Sequence, residues 1–255
     1  MKITLLSKAY GAYRGKLLES IRSEVSSMIT ELDADLVNLG TDRKNRITIN
    51  IKGEDEEFVA NALGRKYGVT LLSTELSPTV IYPGRLVDVG KVGYGLYVDI
   101  GVTDSNRMDA LVSLHKMRDQ FELFGPLKTI AEAFVLVDNL PVEVKLSNID
   151  LYNNRIEAEF DEKLMSRLKE WLQDDHERLL VFGANQQYIE SALKKSGHRE
   201  DIYEIEKLGT FEFSLRCKRS TRASGILAAI GPRLKGVPMH LFIPKELEAI
   251  QNAKA

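Results

Sequence analysis

The fold is decided by Gly93-Tyr-Gly-Leu-Tyr-Val-Asp-Ile-Gly101, a stretch near the middle of this 255-residue sequence. Inward-facing and outward-facing residue types alternate between two glycines, which is the pattern of a short, half-buried β-strand bounded by turns. Similar segments, separated by Gly, Asp and Asn turns, lie on either side of it: Tyr82-Pro-Gly-Arg-Leu-Val-Asp-Val89, Ala110-Leu-Val-Ser-Leu-His-Lys-Met117, Val142-Glu-Val-Lys-Leu-Ser-Asn-Ile-Asp150 and Asn154-Arg-Ile-Glu-Ala-Glu-Phe160. This series predicts a small five-stranded β-barrel over residues 80–160.

In the order and content of these segments, residues 80–160 resemble the RNA-binding domain first described in ribosomal protein S-one, which is a barrel of the OB type. In that domain family the second strand carries a glycine flanked by two exposed aromatic side chains that stack on bases. Tyr94 and Tyr97 occupy those positions here. Stacking requires flat, exposed rings and contributes about 1–3 kcal/mol per base. The resemblance therefore implies that both tyrosines bind RNA.

The resemblance also implies further binding residues. Ser113 stands where the family often has a histidine, and His115 follows two residues later. Asp150 and Arg155 match an aspartate and an arginine that the family has near its last strand, although the turn between them is one residue longer here.

The two tyrosines have a second interpretation, in which they pack against a core or a domain interface. Residues three apart on a regular strand lie on opposite faces, so Tyr94 and Tyr97 need an irregularity to point the same way. Gly93 and Gly95 would allow a bulge that directs both rings outward. An exposed pair on one side of the barrel would favour RNA binding, and a buried pair would favour packing.

Each flank of the barrel segment mixes strands and helices. Ile47, Ile49 and Ile51 alternate with polar residues, as expected for a half-buried strand, and the segments around them predict the order β-α-β-β-α. After the barrel, strand patterns again alternate with helix patterns. The sequence therefore predicts an α+β multidomain protein with an N-terminal α+β domain at 1–79, the barrel at 80–160 and a C-terminal α+β domain at 161–255.

The composition excludes several classes of protein. The single cysteine, Cys217, rules out a disulfide framework or a cysteine-based zinc site, and suits a reducing compartment. Residues 1–7 lack the long apolar core of a signal peptide, and no apolar run approaches the roughly 18 residues of a membrane span. We therefore expect a cytoplasmic protein without membrane contact.

The formal charge is unevenly distributed. Residues 80–160 carry eight basic and twelve acidic side chains, a net charge of −4, whereas residues 161–255 carry a net charge of +2. Since phosphate contacts dominate the affinity of most nucleic-acid-binding proteins, the acidic barrel argues against strong binding by the barrel alone.

A basic stretch without Asp or Glu runs from Phe213 to Lys245. Its densest part joins a strand to the predicted start of a helix and contains Arg216, Lys218, Arg219 and Arg222. Free backbone N–H groups and the helix dipole favour anions at such a point, so the four cations are predicted to hold RNA phosphates. The alternative is a solvated loop paired with the acidic patch at 200–206.

No catalytic signature is present. The sequence has no phosphate-binding Gly-x-x-x-x-Gly-Lys-[Ser/Thr] loop, no Ser/His/Asp set and no zinc-ligand spacing, so we predict no catalytic residue, metal or cofactor. Scattered carboxylates leave a metal-dependent nuclease as a third, weaker alternative.

The whole chain is identified as a member of an uncharacterised archaeal protein family. The resemblance is carried by the barrel and by Leu215-Arg-Cys-Lys-Arg-Ser-Thr-Arg-Ala-Ser-Gly-Ile-Leu-Ala-Ala-Ile-Gly231. We predict a non-catalytic RNA-binding protein that works with the translation or RNA-processing machinery. Its partners would be single-stranded or structured RNA, with the ribosome as a candidate. The alternative is a protein-interaction module of a larger assembly, with a protein partner bound through the acidic barrel.

Overall fold

Three β-sheets follow one another along the part of the chain that the structure describes, residues 1–103 and 108–252 of a computed structural model. The first is a three-stranded sheet, the second a closed five-stranded barrel and the third a four-stranded sheet. None of the helices within these ranges is both long and apolar enough to cross a membrane.

The N-terminal unit has the predicted β-α-β-β-α order. Its elements are β1 (Lys2–Lys8), α1 (Arg14–Met28), β2 (Asp35–Thr41), β3 (Arg46–Lys52) and α2 (Glu56–Tyr67). The strands pair antiparallel in the order β1-β3-β2. Ile47, Ile49 and Ile51 are fully buried together with residues of both helices, which explains their alternation with polar residues.

The predicted five-stranded barrel is confirmed. Its strands are β4 (Ile81–Val87), β5 (Gly95–Asp99), β6 (Ala110–Ser113), β7 (Pro141–Asp150) and β8 (Arg155–Phe160). They close in the order β4-β5-β6-β8-β7, and every neighbouring pair is antiparallel except β6 and β8, which are parallel.

Two helices that the sequence analysis does not predict lie between the third and fourth strands of the barrel. They are α3 (Leu114–Phe121) and α4 (Leu127–Ala133). The segment 110–117, which has the pattern of a strand, changes into a helix at Leu114. Met117 and Phe121 are spaced four residues apart, so both lie on one side of α3, and both are buried in the barrel core.

The C-terminal unit consists of α5 (Glu162–Gln173), β9 (Arg178–Phe182), α6 (Gln186–Ser196), β10 (Ile202–Lys207), β11 (Glu212–Cys217), α7 (Ala223–Ile230), β12 (Met239–Phe242) and α8 (Pro244–Asn252). Its sheet has the order β10-β11-β9-β12, so β10 and β12 are edge strands. The acidic patch at 200–206 largely forms β10, which the sequence analysis does not predict as a strand.

The core of the barrel continues into the C-terminal unit. Leu164, Leu168 and Trp171 of α5 belong to the same buried cluster as the barrel residues, as do Leu180 and Phe182 of β9. The three sheets lie within the ranges 1–79, 80–160 and 161–255, while the division of the chain into separate domains at those positions stays a prediction.

A buried ion cluster joins the N-terminal unit to the barrel. Asp99, at the end of β5, is 1% exposed. Its carboxylate lies 2.7 Å from Lys8 Nζ and 2.5 Å from Arg46 Nη2. Burial alone would raise the pKa of Asp99, but the positive charges of Lys8, Arg46 and Lys44 outweigh it, and the pKa is lowered well below its usual range.

A second buried cluster joins all three units. The fully buried Glu212 of β11 accepts hydrogen bonds from Tyr10 Oη at 2.8 Å and from Arg85 Nη1 at 3.0 Å. Burial, followed by the negative charge of Glu212, raises the pKa of Tyr10. The barrel is therefore held between its neighbours by charged contacts as well as by its apolar core.

Candidate nucleic-acid interface

Tyr94 and Tyr97 lie together on one side of the barrel. Their hydroxyl oxygens are 2.7 Å apart and share a hydrogen bond, which is the largest cause of a raised pKa at Tyr97. Their ring centroids are 6.4 Å apart with an interplanar angle of 86°. Tyr94 is 55% exposed, whereas Tyr97 is half-buried rather than largely exposed. Neither ring belongs to a buried core, so the packing interpretation of the pair loses support.

The two rings face the same side without a bulge. β5 begins at Gly95 and pairs in regular register with β4 and β6, and Tyr94 lies in the bend before the strand. Because Tyr94 precedes the strand, the alternation of side chains along β5 does not decide which way its ring points. The prediction of a bulge at Gly93 and Gly95 is wrong. Gly95 has a different role, since a Cβ at this position would lie 2.5 Å from the carbonyl oxygen of Val112. The glycine allows β5 and β6 to approach directly beneath the tyrosines.

A cavity opens beside the two rings. Its volume is about 370 Å³, and Tyr94, Tyr97, Asp109, Asn153 and Arg155 are among its lining residues. Arg155 is exposed, and its Nη2 lies 2.8 Å from a carboxylate oxygen of the neighbouring Glu157. The structure thus brings three of the predicted site residues, Tyr94, Tyr97 and Arg155, into one cavity.

Asp150 stabilises the turn that forms one side of this cavity. Its carboxylate accepts hydrogen bonds from Asn153 Nδ2 at 2.7 Å and from the Asn153 backbone N–H at 3.0 Å. These two bonds lower the pKa of Asp150. Asp150 is therefore engaged with its own turn, which positions Asn153 and Asn154 at the cavity.

Tyr152, at the tip of the same turn, is an aromatic residue that the sequence analysis does not select. It is 94% exposed. The sequence feature that could have identified Tyr152 is its position between two predicted strands, in a turn whose other residues are polar except for one leucine. Tyr152 lies in the loop between the fourth and fifth strands of the barrel, β7 and β8.

The structure does not bring Ser113 and His115 to the cavity. Ser113 is the N-cap of α3, and its hydroxyl accepts a hydrogen bond from the Lys116 backbone N–H at 3.4 Å. His115 is exposed on α3, with Nε2 3.6 Å from a carboxylate oxygen of Asp119. That Ser113 and His115 have a role in RNA binding stays a prediction.

A basic turn of the N-terminal unit reaches the same side of the barrel. Lys44 lies between β2 and β3, and its Nζ is 2.9 Å from Asp109 Oδ1 and 3.8 Å from Asp99 Oδ1. Since Asp109 lines the cavity, this turn places a half-buried cation next to it, and the neighbouring Arg43 is exposed. Sequence reasoning could not find this contact, because the residues are 65 positions apart.

The predicted basic loop is partly neutralised within the protein. Arg216 of β11 is half-buried, with Nε 3.3 Å from Asp174 Oδ2 and its guanidinium 4.9 Å from the centre of the Tyr203 ring. Lys218 and Arg219 are exposed, and neither forms an ion pair with a described residue.

The start of α7 is occupied by a carboxylate. Glu177 Oε2 accepts a hydrogen bond from the Ala223 backbone N–H at 2.7 Å, and Glu177 Oε1 lies 3.4 Å from Arg222 Nη1. The expected free N–H group for a phosphate is therefore already paired there. The carboxylates that pair with Arg216 and Arg222 are those of Asp174 and Glu177, and not those of the acidic patch at 200–206.

The basic loop and the tyrosine site form separate cavities. The loop borders a cavity of about 260 Å³, whose lining residues include Lys218, Arg219, Lys245, Asp175 and Glu246. No residue lines both this cavity and the one beside Tyr94. Within the described ranges, no group of three His, Cys, Asp or Glu side chains is arranged to hold a metal ion.

Comparisons with known proteins give a family but no activity. Three family models match consecutive parts of the chain: the DUF2110 N-terminal domain over residues 2–71, the DUF2110 central domain over 76–172 and the DUF2110 C-terminal domain over 176–241. No curated protein matches the chain.

Among solved structures, the chain is similar to one chain of the a/eIF2alpha–aDim2p–rRNA complex from Pyrococcus horikoshii OT3. The identity is 10%, and the match covers 48% of this chain and 64% of that chain, which is less than two thirds of its length. The TM-score is 0.27, so this likeness establishes neither a fold nor a function here.

Proposed function

We propose that this chain, which belongs to the DUF2110 family, is a non-catalytic protein that binds single-stranded RNA. The binding surface is the side of the barrel formed by Tyr94, Tyr97 and the turn at 150–155. In this proposal the barrel is of the OB type and related to the domain of ribosomal protein S-one, and the protein works with the translation or RNA-processing machinery.

One observation carries the proposal: two aromatic rings that are not buried meet at a cavity that also contains an exposed arginine. The rings lie at the second barrel strand, and Arg155 lies at the turn between the fourth and fifth strands. OB-type barrels bind oligonucleotides with that strand and that loop. Aromatic rings supply stacking, and the guanidinium supplies a phosphate contact or a further stacking plane.

The angle between the rings favours single-stranded RNA. At an interplanar angle of 86°, one base cannot lie parallel to both Tyr94 and Tyr97. Two bases stacked on these rings must be turned away from each other, which neighbouring bases in a duplex cannot do. Proteins that recognise RNA by stacking act mostly on such splayed, unpaired bases.

The test replaces both rings and measures affinity for a short fluorescein-labelled oligouridine by fluorescence anisotropy. The double variant Tyr94→Ala/Tyr97→Ala removes two stacking surfaces, so we expect affinity to fall by about thirty-fold or more. The double variant Tyr94→Phe/Tyr97→Phe keeps the rings and loses only the shared hydroxyl hydrogen bond. We expect it to bind within about three-fold of the unmodified protein.

Phe58→Ala provides the matched control, because Phe58 is an exposed aromatic residue on α2, outside the barrel. It should bind oligouridine as the unmodified protein does. Equal loss in the Phe58 and tyrosine variants would refute the proposed surface. Incubation of the RNA with protein and Mg²⁺ should leave it intact, and cleavage would refute the non-catalytic assignment.

The second candidate function is a protein-interaction module within a larger assembly. The observation that favours it is the net charge of −4 over residues 80–160, which repels phosphates. If the unmodified protein does not bind RNA at all, this candidate replaces the first.

A further inference from the structure

A further concave surface lies away from the cavity beside Tyr94 and Tyr97, between the barrel and the C-terminal sheet. It is a groove of about 860 Å³. Its lining residues come from the loop at 89–93, from α4 and the segment after it, including Leu127 and Val135, and from β12 and Leu227 of α7. We call it the β12 groove.

The groove contains the free edge of β12. The Phe182 N–H donates to the carbonyl of Pro238 at 3.0 Å, so this pair is hydrogen-bonded. Hydrogen-bonded and non-hydrogen-bonded pairs alternate along antiparallel strands. His240 and Phe242 are therefore the residues of β12 that bond to β9, and the N–H and C=O groups of Met239 and Leu241 point away from it.

No described strand pairs with that edge, because β12 is the last strand in the sheet order. Two outward donors and two outward acceptors thus lie in a largely apolar groove. Unpaired strand edges of this kind accept an additional strand from another polypeptide.

The composition of the groove argues against RNA as its occupant. None of its lining residues is Phe, Tyr or Trp, so it offers no aromatic platform for bases. Its charge argues against a second copy of the chain, because a symmetric pairing of two β12 edges would bring Lys91 and Lys128 of both copies into one interface. An extended segment of another protein does not carry that repulsion.

The charges at the rim indicate what flanks the segment. Lys91 and Lys128 line the groove, against the single acidic residue Glu132. Lys91 pairs with Asp88 and Lys128 with Glu132, but all four side chains are largely exposed. Exposed pairs of this kind contribute little to stability, so both lysines can re-pair with carboxylates of a partner.

We propose that the β12 groove binds an extended peptide segment of another protein, with apolar side chains at alternate positions and acidic residues at its ends. The segment adds to the sheet as a strand beside β12. Its backbone bonds to Met239 and Leu241, and its apolar side chains contact the groove walls. This site is distinct from the proposed RNA surface and does not depend on it.

The test uses the whole chain and a pool of synthetic decapeptides that have Val, Ile or Leu at alternate central positions and Glu or Asp at the ends. The tightest binder selected from the pool is then titrated by fluorescence anisotropy. We expect saturable binding, and amide exchange measured by NMR should slow at Met239 and Leu241. The same peptide N-methylated on its β12-facing amides should bind at least ten-fold more weakly.

Variants separate backbone pairing from charge. Leu241→Pro removes an outward N–H that β9 does not use, and proline is tolerated at strand edges, so we expect at least ten-fold weaker binding from a folded protein. Lys91→Glu/Lys128→Glu should weaken binding several-fold. Lys169→Glu, at an exposed position on α5, should not change it.

Three results would overturn the proposal. The first is that no peptide of the pool binds, and the second is that a bound peptide leaves the Met239 and Leu241 amides unprotected. The third is protection of these amides in the absence of peptide. If it occurs in a dimer found by sedimentation, the occupant is a second copy of the chain. If it occurs upon addition of oligouridine, the occupant is RNA.

Discussion

At the scale of single residues, Asp99 is a buried carboxylate that contacts two units of the molecule. It ends the strand that carries Tyr97, yet its carboxylate is buried among cations of the N-terminal unit. Removing one partner of a buried ion pair leaves the others uncompensated. The residue therefore fixes the end of β5 and, with it, the position of the N-terminal unit beside the tyrosine cavity.

We predict that Asp99→Asn destabilises the protein by about 3–5 kcal/mol in urea unfolding, because Lys8 and Arg46 would remain buried without a counter-charge. Asp119→Asn is the control, since Asp119 is exposed and its only ion-pair partner among the described residues is His115. It should change the free energy of unfolding by no more than about 0.5 kcal/mol. Equal effects of the two variants would show that the buried cluster does not stabilise the fold.

We also predict how the difference in stability between the unmodified protein and Asp99→Asn depends on pH. The pKa of Asp99 lies below its ordinary value of 3.8 in the folded state, so its ionised form stabilises the fold above that value. This contribution is lost as the pH falls below about 4 toward the lower, folded-state pKa. The stability advantage over Asp99→Asn should thus be full above about pH 5 and should shrink in acid. A constant difference down to pH 2 would contradict this.

Substitutions at Gly95 and Gly93 test whether the close approach of β5 and β6 beneath the tyrosines requires a glycine. A Cβ at Gly95 would lie 2.5 Å from Val112 O, whereas a Cβ at Gly93 would have no atom within 4 Å. We expect Gly95→Ala to cost about 1–3 kcal/mol, as other overpacked sites do, and to weaken RNA binding by moving Tyr94. Gly93→Ala should be nearly neutral in both measurements. Thermal unfolding and anisotropy would show this, and equal behaviour of the two variants would contradict it.

At the scale of elements, the loop between β11 and α7 retains only part of its predicted charge. Asp174 and Tyr203 hold Arg216, and Glu177 caps α7. Of the four cations, Lys218 and Arg219 are thus the exposed ones that form no ion pair with a described residue. Any phosphate contact by this loop should come mainly from these two residues.

We therefore predict the salt dependence of RNA binding for two variants. Each lost phosphate contact lowers the slope of log K against log salt by about 0.7 for a single strand. Lys218→Gln/Arg219→Gln should flatten the slope by roughly 1 to 1.5. Arg216→Gln should leave the slope nearly unchanged and reduce stability instead. An unchanged slope in the double variant would show that the loop does not contact RNA.

The elements also show what the sequence could predict. Alternation at Ile47, Ile49 and Ile51 correctly indicated a strand with one buried face. The pattern at 94–100 correctly indicated β5, although both faces of that strand are largely buried. The helix α3 was missed because the strand-like pattern at 110–113 continues into it without a break residue. The partner of α7 was missed because Glu177 is 46 positions from Ala223, and only the fold brings them together.

At the tyrosine site the outcome was similar. Tyr94, Tyr97 and Arg155 were selected because a resemblance to a known domain family implies a binding role at these positions, and the structure brings all three to one cavity. Three features could not be predicted in this way, because each depends on how turns and units pack. They are the regular strand in place of a bulge, the exposed Tyr152 and the approach of Lys44.

At the scale of the whole molecule, the three units pack against one another and are not structurally independent. The barrel core includes apolar residues of α5, β9 and α8, and the N-terminal unit reaches the barrel through the Asp99 cluster. The proposed RNA surface is consequently composite, with rings from the barrel and Lys44 from the unit before it. The β12 groove is composite as well, since its lining residues come from both the barrel unit and the C-terminal unit.

The most direct test of RNA binding is an NMR titration of protein with ¹³C-labelled tyrosine rings against a short oligouridine. Of the nine tyrosines, we predict that Tyr94, Tyr97 and Tyr152 shift upfield and show contacts to base protons, while Tyr203 does not change. Binding that leaves the rings of Tyr94 and Tyr97 unperturbed, or no binding at all, would contradict the account.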